Sequence, residues 1–171
     1  VNLHLDALKK MGAKIKIKDG YVIASAKDGL KGCVIKFPKI SVGATENILI
    51  AACLAKGKTK IRNCATEPEV KDLVKFLKKI GCKINWVGKR NIDVIGVKKV
   101  NSGKHKVIFD RIEAGTYIIA SALTGGKLTI KNIDPKIMNN EINLLKKMGI
   151  IIFKRKNSIT VISPKKIKSI N

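Results

Sequence analysis

Apolar positions along the chain follow two periods that alternate. Val70, Leu73, Val74, Leu77 and Ile80 recur at helical spacing and leave Lys71, Lys75, Lys78 and Lys79 for solvent, the stripe of an amphipathic helix. The short runs "CVIKF" (33–37), "KTKIRN" (58–63), "CKINW" (82–86) and "IDVIG" (92–96) read as strands, the last two as a closing hairpin. Two further segments, 44–56 and 114–125, are apolar with almost no polar face. Each predicts a helix that other protein must enclose.

Punctuation supports this order. Gly57 is the predicted C′ residue of the first apolar helix, and Gly81 ends the amphipathic one, since glycine adopts the left-handed cap without a Cβ penalty. Thr66 with Glu69 three residues on reads as a capping box, and Asp19-Gly20 as a two-residue hairpin turn.

The pattern also repeats. "LKKMGAKI" (8–15), "LKKIGCKI" (77–84) and "LKKMGIII" (145–152) place glycines at 12, 81 and 149, spaced by 69 and 68 residues. "LAKGKTKIRN" (54–63) recurs 69 residues later as "LTGGKLTIKN" (123–132). Two phrases sharing one period define a structural repeat: a β-α-β-α-β-β unit present in about two and a half copies. The α/β fold expected has the apolar helices in the middle and the sheets outside. The small residues Ala51, Ala52, Ala55, Ala120, Ser121 and Ala122 would let those helices approach closely.

Charge changes this picture little. Lys and Arg total 36 against 12 Asp and Glu, a net charge of +24, which raises nucleic acid as a partner. The lysines are scattered over every segment, however, and aromatics are only 4%, too few for stacking platforms. A basic repeat protein that binds nucleic acid stays as a rival reading, and a positive field attracting a small anion fits as well. No window reaches the roughly 18 apolar residues of a membrane span, and no membrane partner is expected. Cys33, Cys53, Cys64 and Cys82 lack C-x-x-C spacing and are expected as reduced thiols of a cytoplasmic protein. His4 and His105 belong to no ligand cluster, so no metal site is expected. The chain opens at Val1 in what reads as the inside of an element, as a piece of a longer chain would.

Four ordered stretches, "VNLHLDALKKMGA" (1–13), "SVGATENILIAACLAKG" (41–57), "EPEVKDLVKFLKKIG" (67–81) and "DRIEAGTYIIASAL" (110–123), carry a specific likeness. The chain resembles the UDP-N-acetylglucosamine 1-carboxyvinyltransferases, enolpyruvyl transferases of peptidoglycan synthesis, over essentially its whole length. The resemblance implies an inside-out α/β barrel of two domains, three repeat units each, with the active site in the cleft between them. Residues 1–108 would be the later part of the first domain and 109–171 the beginning of the second. The implied reaction moves the enolpyruvyl group of phosphoenolpyruvate to the 3′-hydroxyl of UDP-N-acetylglucosamine, releases phosphate, and needs no cofactor. The related synthesis of 5-enolpyruvylshikimate 3-phosphate on the same fold is the nearest alternative.

By the same resemblance Val1, Asn2 and Leu3 fall on a nucleotide-sugar segment, with Asn2 where the family usually has Asp. Lys39, Ile40, Ser41, Val42 and Gly43 fall on a second such segment, ahead of a helix start whose free N–H groups suit an anion. From the residues alone, Ser41 serves equally as a helix cap and Lys39 as one more surface lysine. Glu67 and Glu69 match the cleft edge, and Asp110 matches an acidic position near the reacting groups. Capping accounts for Glu69 and Asp110 equally well. Arg111 and Glu113 are expected to pair structurally. The resemblance places the proton-donating loop and the phosphoenolpyruvate-gripping Lys-Asn pair upstream of Val1, so the chain alone is expected to be inactive. Its oligomeric state is left open.

Overall fold

The computed structural model describes residues 1–170, and the chain divides into two compact units, Val1–Lys106 and Val107–Asn171. In unit 1 a first helix, α1 (Asn2–Lys10), leads into the hairpin β1 (Lys14–Lys18) and β2 (Tyr21–Ser25). Its turn residues Asp19 and Gly20 take φ of +51° and +78°, as a type I′ turn requires. A complete repeat follows: β3 (Val34–Lys36), α2 (Val42–Cys53), β4 (Lys58–Arg62), α3 (Pro68–Lys79), β5 (Lys83–Trp86) and β6 (Asn91–Ile95). Its sheet runs β3-β4-β6-β5, with β3 parallel to β4 and the other pairs antiparallel.

Alternation along the strands turns Ile35, Ile61, Ile84, Ile92 and Val94 inward, one face per strand. They pack with Ile48, Leu49 and Ala52 of α2, with Val70, Val74 and Leu77 of α3, and with Ala7 of α1 and its C-cap Met11.

Unit 2 repeats the plan without the first strand. Its elements are α4 (Arg111–Leu123), β7 (Lys127–Lys131), a 3-10 turn (Pro135–Met138), α5 (Asn139–Lys147), β8 (Ile151–Arg155) and β9 (Ser158–Ile162). The sheet order β7-β9-β8 reproduces β4-β6-β5, down to five-residue registers that run from Lys58↔Ile95 to Arg62↔Asn91 and from Lys127↔Ile162 to Lys131↔Ser158. Ile118, Met138, Ile142, Ile159 and Val161 form its core.

Both repeated phrases have local causes. After α1, α3 and α5 the glycines Gly12, Gly81 and Gly149 take φ of +98°, +99° and +90°. Each closes the same double bond: the Gly12 N–H donates to Lys9 O and Ala13 N–H to Leu8 O, with Gly81/Lys78, Cys82/Leu77, Gly149/Lys146 and Ile150/Leu145 as equivalents. That is the Schellman motif. The other phrase ends in Asn63 and Asn132, at φ +58° and +61°, a left-handed position that asparagine tolerates better than most residues.

Four expectations change. First, α2 begins at Val42 and ends at Cys53 with Leu54 as C-cap, so Gly57 is not its C′ residue. The chain is already extended at Lys56, whose N–H donates to Leu30 O and whose carbonyl accepts from Gly32 N–H; Gly57 (φ +92°) then turns it into β4. Second, Thr66 and Glu69 make no capping box: α3 starts at Pro68 with Glu67 as N-cap. A residue before proline is pushed to extended backbone, and Glu67 shows ψ of 157°. Third, the apolar helices are enclosed only in part. Ile50 of α2 and its C-cap Leu54 are more than half exposed, as are Ile112, Tyr117 and Leu123 of α4, because each helix has neighbours on some of its sides and a helix apolar all round needs them on all. Ala52, Ala55, Ser121 and Ala122 are buried, but Ala120 lies open. Fourth, Arg111 Nη1 pairs with Glu141 Oε1 at 3.3 Å rather than with Glu113, since α5 brings that carboxylate over the first turn of α4.

Candidate functional site

Three segments far apart in sequence meet at one end of unit 1. The first is the start of α1, where Val1 is the exposed N-cap and its carbonyl accepts from the N–H groups of His4 and Leu5. Asn2 is exposed on the first turn and Leu3 is half-buried. The second is the start of α2: Lys39, Ile40 and Gly43 exposed, Ser41 and Val42 half-buried. Ser41 is extended (φ −145°) and its Oγ accepts from the Ala44 N–H at 3.3 Å. The third is the turn into α3, Cys64 to Glu69.

Side chains join these segments. His4 Nδ1 lies 2.9 Å from Asn47 Nδ2, and the same imidazole flanks Gly43, where an added Cβ would stand 3.5 Å from its Cε1. The buried Thr45 hydroxyl donates to Ser41 O at 2.7 Å and accepts from the Ala65 N–H at 3.0 Å, fixing α2 to the third segment. Glu69 and Glu46 are neighbouring carboxylates: burial first, and then the charge of Glu69, push the Glu46 carboxyl above its ordinary value. Glu67 turns back, its Oε2 accepting from the Thr66 N–H at 2.7 Å.

The result is three helix starts gathered together, each with a positive dipole end. Of the expected residues, Val1–Leu3, Lys39–Gly43, Glu67 and Glu69 all lie here. His4, Glu46, Asn47 and Thr45 belong to the same cluster and were not expected. Leu3 also borders a groove of about 490 Å³ between α1 and β3, flanked by Lys9, Lys10, Lys36 and Pro38.

Asp110 belongs to unit 2. It is the N-cap of α4, with Oδ1 accepting from the N–H groups of Ile112 (2.8 Å) and Glu113 (3.0 Å). The capping role thus exists, and it occupies one carboxylate oxygen only. Asp110 also lines a hollow of about 350 Å³ with Glu113, Tyr117, Lys131 and Asn132.

The four thiols are free. Burial pushes Cys64 up to about 11, and burial together with a hydrogen bond to Cys82 pushes Cys53 up further, so both are protonated core groups rather than nucleophiles. Among the described residues no three His, Cys, Asp or Glu side chains gather as a metal site, and no helix is long and apolar enough to cross a membrane.

A repeated βαβαββ unit whose candidate residues collect at helix starts defines a class of fold, and comparison with known proteins gives it a family. The family model of EPSP synthase (3-phosphoshikimate 1-carboxyvinyltransferase) matches residues 1–171. The chain belongs to that family. It is 58% identical over 171 residues to the UDP-N-acetylglucosamine 1-carboxyvinyltransferase of Pelagibacter ubique (strain HTCC1062), covering all of this chain and 41% of that protein. The enzyme of the same name from Endomicrobium trichonymphae is 50% identical with the same coverage. The chain thus spans about two-fifths of the length of these relatives. Among solved structures, the enolpyruvyl transferase NikO from Streptomyces tendae superposes with a TM-score of 0.78 at 23% identity, over 95% of this chain and 42% of that one. That likeness shows the shared fold, the inside-out α/β barrel of this family.

Proposed function

We propose that the chain is part of an enzyme that transfers the enolpyruvyl group of phosphoenolpyruvate to the 3′-hydroxyl of UDP-N-acetylglucosamine, the committed step of peptidoglycan synthesis in the cytoplasm. The observation that carries this reading is the 58% identity to a protein of that name without loss of any part of the chain. Val1–Leu3 and Lys39–Gly43 act as one nucleotide-sugar surface, held together by His4–Asn47. Lys39 and the N–H groups that open α2 meet negative charge there. Asn2 supplies an acceptor oxygen without the charge of an aspartate. Glu67 and Glu69 border this surface. Asp110 contributes from unit 2 through the oxygen that capping leaves unused, as an electrostatic or proton-handling group. Residues 1–108 and 109–171 belong to two domains in this reading. The family's other activity, on shikimate 3-phosphate, is the second reading, favoured only by the name of the family model.

The test is a titration of the longer parent protein with UDP-N-acetylglucosamine and, separately, with shikimate 3-phosphate. Binding of the nucleotide sugar, with phosphate release on adding phosphoenolpyruvate, is expected. Binding of shikimate 3-phosphate alone would sink the proposal. The 171-residue chain by itself is expected to release no phosphate.

A further inference from the structure

Residues 98–107 run without regular structure and are all exposed except His105. This stretch is nonetheless fastened to α3 at successive points. The Asn101 N–H donates to Ile80 O at 2.8 Å, and Gly103 lies so close to Ile80 that an added Cβ would stand 3.0 Å from its Cγ2. Lys79 Nζ donates to Lys104 O. His105 Nε2 lies 3.0 Å from Asp72 Oδ2, and the imidazole stands 5.4 Å, centre to centre, from the ring of Phe76.

Asp72, Phe76 and Lys79 of α3 and its C-cap Ile80 lie along one stripe. From Ile80 to Asp72 is about 12 Å of helix, and Asn101 to His105 spans about 13 Å when extended. The segment therefore lies antiparallel along α3 as an extended strap.

The charges oppose this docking. The strap carries Lys98, Lys99, Lys104 and Lys106 and no acid, while α3 carries Lys71, Lys75, Lys78 and Lys79. Asp72 is the acid that meets the strap, and it is 8% exposed. We infer that the His105–Asp72 pair is a clasp that holds Lys98–Lys106 against α3 and thereby fixes the point at which the chain leaves unit 1. Apolar burial does not do this, because the strap buries almost none. The functional meaning, control of how the second domain is tethered, rests on the two-domain reading above. The test uses no substrate, so the two fail separately.

Trypsin reads the strap directly through its four lysines. In the 171-residue chain, His105→Ala is expected to be cut between residues 98 and 106 roughly tenfold faster than wild type, the loss of one charge-assisted bond. Exchange of the Asn101 N–H should quicken by a similar factor, while the β4–β6 amides keep their wild-type rates. His105→Gln, whose amide nitrogen can donate to Asp72, should recover part of the protection. Added salt should slow cutting of Asp72→Asn by screening the lysines that face each other. Wild-type cutting rates in His105→Ala, or core amides that quicken in step with the strap, would overturn the inference. So would a His105→Gln variant cut as fast as His105→Ala.

Discussion

Asn47 Nδ2 reaches His4 Nδ1 across 43 residues at 2.9 Å, and this bond ties the start of α1 to the start of α2. With the amide as donor, Nδ1 accepts and Nε2 carries the proton of the neutral ring. Nitrogen shifts of the imidazole should report that tautomer near pH 8. Asn47→Leu should remove the preference, speed amide exchange at His4 and Leu5, and cost about 1 kcal/mol in chemical unfolding. In the parent protein the same variant is expected to weaken nucleotide-sugar binding.

Asp93 faces Lys58 Nζ and Arg62 Nη1, each at 2.8 Å. Hydrogen bonds from Lys58 and then Arg62 hold its carboxyl below the usual aspartate value. A lowered folded pKa means that the unfolded state takes up the proton first. The stability this group contributes is therefore complete above the ordinary aspartate value, about 3.9, and is lost as pH falls through the lower folded value. Denaturant melts of Asp93→Asn should show a stability deficit at pH 7 that shrinks as pH falls below the ordinary aspartate value.

Gly12 and Gly81 stand at the same position of the same cap and differ in surroundings. A Cβ on Gly12 meets nothing within 4 Å, whereas on Gly81 it would stand 3.2 Å from Asn101 Nδ2. Gly12→Ala should destabilise by about 1–2 kcal/mol from left-handed backbone alone. Gly81→Ala should lose more, and the difference in thermal unfolding measures how far the strap must yield.

Ile48 is fully buried and Ile50, two residues on, is 55% exposed. Ile48→Ala should lose about 2–5 kcal/mol through transfer and cavity, while Ile50→Ala should stay within about 0.5 kcal/mol. Equal losses at the two positions in urea melts would contradict the orientation of α2.

The repeat was legible in the sequence because its causes are local. Each LKK-x-G phrase closes its own cap, and Asn63 and Asn132 each end a strand within a few residues of it. The amphipathic stripe of α3 was legible for the same reason, since Lys71, Lys75, Lys78 and Lys79 leave only one face to bury. Asp72 was not, because its partner His105 lies 33 residues away at no repeat spacing. The capping box at Thr66 failed on one neighbour: Pro68 keeps Glu67 extended, and that outweighed a good consensus. At the candidate site the family likeness pointed to Val1–Leu3 and Lys39–Gly43, but the residues that join them did not stand out. His4, Asn47 and Thr45 become meaningful only when three helix starts are seen to converge.

Among the described residues, the order β7-β9-β8 leaves one side of β7 without a partner strand, where β3 covers the equivalent β4. An uncovered edge is a template on which a second molecule can add a strand. The edge strand begins and ends in lysine, at Lys127 and Lys131, and strand-on-strand addition would bring like charges together along the seam. Scattered lysines that say little about a ligand thus acquire a plainer consequence: along this edge, like charge opposes the addition of another lysine-bearing strand.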